Sequence, residues 1–169
     1  MPDAAEQAIA HAIDNARLQT LTALRERLRN VPIAVLRKLA VDLVPELFRA
    51  GYSGEAGASG ARWANAFARP RVTALPSFLV RIHSGPFSTD DATNLRMTME
   101  GAGIAQAALA IITDAPIPHE LRSSLGPAVP WLLDTDGLAH LMINANVGVT
   151  PRVYETKLVD AAYFRDADR

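Results

Sequence analysis

The run Ala107–Thr113, AALAIIT, constrains the fold of this chain most, because it is apolar throughout and has the length of a strand. A strand without polar positions is typical of a sheet that is covered on both faces. Ser77–His83 is a second strand by its β-branched and aromatic residues, and a helical stripe marks Thr89–Glu100, which Thr89 or Asp90 would cap. A helix between two strands is a βαβ crossover, which predicts that the two strands are parallel.

The first segment, Asp3–Arg29, is predicted to be a long helix that begins with a capping-box spacing and ends before Pro32. Its apolar residues form a thin, alanine-rich stripe. A helix of this kind either packs on the outside of the domain or serves as a dimerisation arm that binds a second copy of the chain. Both interpretations stay open from the sequence.

Ile33–Ala50 is predicted to be a second helix, kinked or split by Pro45. Ser53–Gly60 is a run of small residues and is interpreted as a loop. The stretch Arg62–Leu75 has no clear period: the spacing of its aromatic residues suits a helical turn, whereas Arg71–Thr73 is more typical of a strand.

The C-terminal part alternates strands and helices. A short helix is predicted over His119–Leu125 and a short strand over Trp131–Leu133. A capped helix follows, and Asn146 and Gly148 should end it because both tolerate the left-handed conformation. A strand with a period of two is then predicted over Val153–Leu158.

Composition excludes several classes of protein. The chain has 169 residues, 49% of them apolar, and a formal net charge of −1, so no global charge favours nucleic acid or membrane. It has no cysteine, which excludes disulfides, thiolate catalysis and cysteine-ligated zinc. No apolar run reaches the length of a membrane span, and the start is unlike a signal peptide, so we expect a cytoplasmic protein without membrane contact.

A series of motifs near the C-terminus resembles the Mrr-like type IV restriction endonuclease domain. They are Asp136-Gly137, Leu138–Met142, Asn146–Val149, Tyr154–Lys157 and Val159–Phe164. The resemblance implies a restriction-endonuclease-like α/β fold, with a three-layer α/β/α core and a mixed sheet. It covers Leu36–Phe164 within a domain that is predicted over residues 31–169, to which residues 1–30 are added as an N-terminal helical arm.

The same resemblance implies magnesium-dependent hydrolysis of DNA, yet the residues that would perform it differ. The helix Glu of the family falls on Arg37, the strand Gln on Arg81 and the catalytic Lys on His83, and no DGGxDG turn is present. There is no Asp or Glu between Glu55 and Asp90. Since magnesium requires oxygen ligands and is repelled by guanidinium groups, we expect no metal site and no cofactor here, unless cleavage is retained.

The favoured hypothesis is a catalytically degenerate Mrr-like domain that binds nucleic acid or regulates, and is not an enzyme. The candidate binding residues for DNA are the basic side chains of the altered region, Arg62, Arg69, Arg71, Arg81 and His83. Guanidinium groups suit phosphate because they donate two hydrogen bonds in one plane. The alternatives are that these arginines are solvated loop charges, that they pair with surface carboxylates such as Asp90 and Asp91, or that they bind another anion such as a nucleotide.

Two rival functions stay open. The chain could be a protein-interaction module that forms a homodimer through residues 3–29 and binds no nucleic acid. It could also be an active, magnesium-dependent endonuclease whose ligands have moved to Asp42, Glu46 or Glu55, because only the arrangement of carboxylates in space matters for the metal.

Overall fold

The structure is a computed structural model, and it describes residues 4–152. The helices are α1 (Ala4–Arg29), α2 (Ile33–Asp42), α3 (Val44–Phe48), α4 (Thr89–Gly101), α5 (His119–Leu125) and α6 (Thr135–Asn144). The strands are β1 (Tyr52–Ser59), β2 (Trp63–Pro70), β3 (Phe78–Ser84), β4 (Ala107–Ile112) and β5 (Trp131–Leu133). The expected cap at Asp3, the expected strand Val153–Leu158 and the Val159–Phe164 motif lie outside the described residues.

The protein is an α/β protein whose strands form one mixed sheet in the order β1-β2-β3-β4-β5. The first three strands are antiparallel neighbours, whereas β3, β4 and β5 run parallel. Leu79 pairs with Ala107 at one end of the β3–β4 ladder and Ser84 with Ile112 at the other. The predicted parallel crossover through α4 is therefore confirmed, as are the short helix α5 and the short strand β5.

Alternate residues of the central strands support two apolar clusters on opposite faces of the sheet. Val80 and Ala108 belong to the cluster that includes the buried residues of α1, α2, α3 and α6. Leu79 and Leu109 belong to the cluster that α4 and α5 complete. The sheet is thus covered by helices on both faces, as its apolar central strand requires.

The two ends of α1 differ in burial. Leu21, Leu24 and Leu28 are buried in the first cluster, whereas Ile13 is 61% exposed. Arg25 forms an ion pair with Asp136 of α6 at 2.6 Å. The C-terminal half of α1 therefore packs on the domain, and the N-terminal half carries exposed apolar surface.

Other turns and helix ends follow from particular residues. The predicted break near Pro45 is confirmed, since α2 ends at Asp42 and α3 begins at Val44. The predicted end of α6 is also confirmed, because Asn146 and Gly148 have φ angles of 54° and 69°. Across residues 4–152, no helix combines the length and the apolar character that crossing a membrane would need.

Two expectations for the region before β3 are wrong. The supposed loop Ser53–Gly60 is the edge strand β1, which pairs with β2 and has a register irregularity between Ala56 and Ser59. A Cβ on Gly54 would lie 2.6 Å from the carbonyl oxygen of Val41, so small residues here allow α2 to approach the sheet. In the stretch Arg62–Leu75 no helical turn forms, because most of its first half is the strand β2. Arg71–Thr73 is not a strand either, since these residues lie in the turn that follows β2.

Candidate functional site

The pairing of β2 with β3 brings polar side chains together on the face of the sheet that α4 covers. Asn65 lies opposite Arg81, and Trp63 lies opposite His83. Arg81 is 1% exposed, His83 is fully buried and Asn65 is 1% exposed. Because polar groups are rarely buried so completely, this set is the candidate functional site of the domain.

The Arg81 guanidinium is held by neutral partners. Its Nε donates to Oδ1 of Asn65 at 2.8 Å, and a terminal nitrogen donates to the Thr98 hydroxyl of α4 at 3.2 Å. It also lies 4.3 Å from the ring centre of Trp63, a cation–π contact. Burial lowers the pKa of Arg81 to about 10, although the charge of Asp91 opposes that shift. The arginine remains a cation at neutral pH.

His83 lies at the end of β3 that faces the turn before α4. Its Nε2 is 3.0 Å from the carbonyl oxygen of Pro86, and its ring meets Phe87 edge-on at 5.1 Å. Since a carbonyl only accepts, Nε2 carries the proton and donates it, which leaves a lone pair on Nδ1. Burial lowers the pKa of His83, so the ring is neutral. Within the described residues neither Nδ1 of His83 nor Nδ2 of Asn65 has a hydrogen-bond partner.

The carboxylate nearest to His83 is Asp91, and it is already engaged. One oxygen of Asp91 is 3.8 Å from His83 Nε2, and the same oxygen accepts from the backbone N–H and the hydroxyl of Ser88, both at 2.7 Å. Partial burial raises the pKa of Asp91, but the bonds from Ser88 outweigh it and the pKa is lowered. This capping box shows that the expected caps Thr89 and Asp90 are wrong: the cap is Ser88.

The predicted basic residues do not form one surface. Arg62 is exposed and lies beside Gly85, close enough to His83 to influence its pKa. Arg69 lies at the other end of β2, where it pairs with Glu55 at 3.3 Å, and Arg71 is exposed in the following turn. The structure therefore brings Arg62, Arg81 and His83 to one end of the strand pair and leaves Arg69 and Arg71 at the opposite end.

The remaining predicted site positions lie apart from this set. Arg37 of α2 donates to the Ser59 hydroxyl at 2.7 Å and is exposed. Asp42 pairs with Lys38, and Glu46 is exposed on α3. Between residues 4 and 152 there is no group of three His, Asp or Glu side chains that could hold a metal ion.

Sequence reasoning missed the partners of Arg81. Asn65 and Trp63 alternate with small apolar residues in WANAFARP, which is the period of a strand with one polar face. That signal predicts β2, and a hairpin to β3 then places Asn65 opposite Arg81. Thr98 had no comparable signal, because it follows from the packing of α4 on the sheet.

A scan against models of protein families and a search among curated proteins found no match to this chain. The interpretation of the site therefore depends on its geometry and on the motifs in the sequence.

Proposed function

We propose that this chain is a catalytically inactive, Mrr-like restriction-endonuclease domain that binds nucleic acid without cutting it. Three features support a three-layer α/β/α core of that type: the antiparallel β1–β2–β3 unit, the parallel crossover to β4, and helices on both faces of the sheet. The proposed family is based on the resemblance of the C-terminal motifs. The fold alone would not identify the function, because one fold can have many functions.

The observation that carries the loss of cleavage is the buried Arg81–Asn65 pair with His83 beside it. Arg81 and His83 occupy the strand positions at which the resemblance expects the glutamine and the catalytic lysine. A fixed guanidinium opposes a divalent cation and has no lone pair to offer it. Asp91 is the nearby carboxylate, and the bonds from Ser88 already engage the oxygen that faces His83.

The exposed arginines would bind the nucleic acid, because the guanidinium of Arg81 is enclosed by Asn65, Thr98 and Trp63. Arg62 and Arg71 are exposed, and neither forms an ion pair among the described residues. They lie at opposite ends of the β2 strand, which spans roughly 25 Å at about 3.3 Å per residue. The phosphate backbone of a DNA duplex would contact both ends. Such phosphate contacts provide affinity that does not depend on the base sequence.

A gel-shift titration of duplex DNA over a range of salt concentrations tests the proposal. Arg62→Glu with Arg71→Glu should weaken binding by about tenfold or more and lower the slope of log affinity against log salt by about one per arginine. The matched control, Arg17→Glu with Arg122→Glu, reverses the charge of two other exposed arginines and changes the net charge by the same amount. Absence of any complex at low salt, or equal weakening by the control, would overturn nucleic-acid binding at this surface.

A second candidate function is self-association through α1, and one observation favours it. Ile13 and Leu18 are 61% and 57% exposed on a helix whose later leucines are buried. Removing residues 1–30 would also remove those buried leucines, so point variants are the better test. Light scattering of Ile13→Glu with Leu18→Glu should show a lower mass than the unaltered protein if α1 is the interface, and the same mass if it is not.

A further inference from the structure

The turn between β2 and β3, residues 71–76, carries apolar side chains that the fold leaves in contact with water. All of its residues are exposed, and Val72 and Leu75 are 59% and 48% exposed. The N–H of Leu75 donates to the carbonyl oxygen of Val72 at 3.2 Å, which closes a tight turn and places both residues at its tip. Neither candidate function described above uses these two side chains.

The β2–β3 turn is held at both of its ends, so its tip is presented in a fixed conformation. At one end the N–H of Arg71 donates to the carbonyl oxygen of Gly51 at 2.9 Å. At the other end the Tyr52 hydroxyl donates to the carbonyl oxygen of Pro76 at 3.0 Å. A turn that is ordered before binding loses less conformational entropy when a partner covers it, which favours a role in recognition.

The charges around the β2–β3 turn favour a polyanion as the partner. Arg49 and Arg71 are exposed, and among the described residues neither forms an ion pair. Arg49 lies two residues before the residue whose carbonyl accepts from the Arg71 N–H. Glu55 pairs with Arg69, and residues 56–89 contain no Asp or Glu. An apolar tip beside cations is complementary to a DNA groove, which phosphates border and base edges line.

We infer that the β2–β3 turn enters the major groove of duplex DNA, where Val72 and Leu75 contact the C5 methyl groups of thymine. The inference rests on the proposed function and deepens it, because phosphate contacts alone do not distinguish base pairs. The major groove is about 12 Å wide and admits a two-stranded β-ribbon such as β2–β3, whereas the minor groove is about 6 Å wide. The thymine methyl group lies in the major groove, so apolar side chains have a specific partner there. Arg49 and Arg71 would then lie against the phosphates that border the groove.

Replacing thymine by deoxyuridine tests the contact, because it removes the C5 methyl group and keeps the base pairs and the phosphates. In gel-shift titrations at one salt concentration, the full chain should bind an A·T-rich duplex more tightly than its deoxyuridine counterpart, by about fourfold for each methyl group that the turn covers. Val72→Thr with Leu75→Gln should abolish this preference and keep salt-dependent binding. The matched control, Val35→Thr with Met97→Gln, changes two exposed apolar side chains on α2 and α4 and should keep the preference.

The outcomes separate this inference from the function on which it rests. Salt-dependent binding with equal affinity for the two duplexes would overturn the thymine contact and leave nucleic-acid binding intact. A preference that the turn variant retains, or that the control also loses, would do the same. No complex with either duplex at low salt would overturn both.

A membrane surface is the rival partner for an apolar turn beside cations, and a sedimentation assay covers it. The full chain should not sediment with vesicles of phosphatidylserine and phosphatidylcholine. Vesicle binding that Val72→Thr with Leu75→Gln abolishes, without any preference for thymine over deoxyuridine, would assign the turn to a membrane and overturn the inference.

Discussion

The bond between Asn65 and Arg81 can be tested by replacing Asn65 with alanine. The bond is 2.8 Å long, buried and charge-assisted, and such bonds contribute about 1.5–3 kcal/mol. Asn65→Ala also removes the Nδ2 group, which has no partner among the described residues, and this relieves about 1 kcal/mol. The free energy of unfolding should therefore fall by about 0.5–2 kcal/mol. Urea unfolding followed by tryptophan fluorescence, to which Trp63 beside Arg81 contributes, measures the change.

A double-mutant cycle isolates the interaction from the cavity that the alanine creates. In an Arg81→Met background the Asn65 amide has lost its partner, so Asn65→Ala should then cost less than about 0.5 kcal/mol or should stabilise the protein. If Asn65→Ala costs the same in both backgrounds, the two residues are not coupled. The account of Arg81 as a cation fixed by Asn65 would then be refuted.

Three further predictions concern the fold and its pH dependence. Gly54→Ala should destabilise the protein by about 1–3 kcal/mol because its Cβ would press on α2, whereas Gly51→Ala, with open space around it, should change the unfolding midpoint little. Leu28→Ala should cost about 2–5 kcal/mol and Ile13→Ala less than about 0.5, since only the first side chain is buried; thermal unfolding distinguishes them. Burial lowers the pKa of His83 in the folded protein. As the pH falls through about 6.5, this histidine is therefore protonated in the unfolded chain before it is protonated in the folded one. The free energy of unfolding should fall from that pH downwards. The slope is at most about 1.4 kcal/mol per pH unit, and His83→Gln should remove it from denaturation curves at pH 7.5, 6.5 and 5.5.

The sequence predicted the elements whose residues repeat strongly. The apolar run of β4 and the stripe of α4 were sufficient for a parallel crossover, because each has one interpretation by length and period. It did not predict β1, since a strand of Gly, Ser and Ala has the composition of a loop. The identity of β1 depends on the close approach of α2 at Gly54, a tertiary contact that no local pattern records.

The candidate site was predicted in part. The resemblance singled out Arg81 and His83 on β3, but the hydropathy of arginine predicts an exposed side chain. The burial of Arg81 depends on Asn65 from another strand and on Thr98 from a helix, which the sequence separates by 16 and 17 positions from Arg81. The alternation in β2 could have placed Asn65 opposite Arg81, whereas the contact with Thr98 depends on the packing of α4 and has no signal in the spacing along the chain.

The most direct test of the central claim is cleavage of supercoiled plasmid, unmodified and methylated, with Mg²⁺ or Mn²⁺ in excess. The account predicts that the plasmid stays supercoiled under all four conditions, because a fixed cation and a neutral imidazole occupy the place where metal ligands would be needed. Metal-dependent nicking that Asp42→Asn, Glu46→Gln or Glu55→Gln abolishes would contradict it, and would show that carboxylates elsewhere in the chain hold the ion.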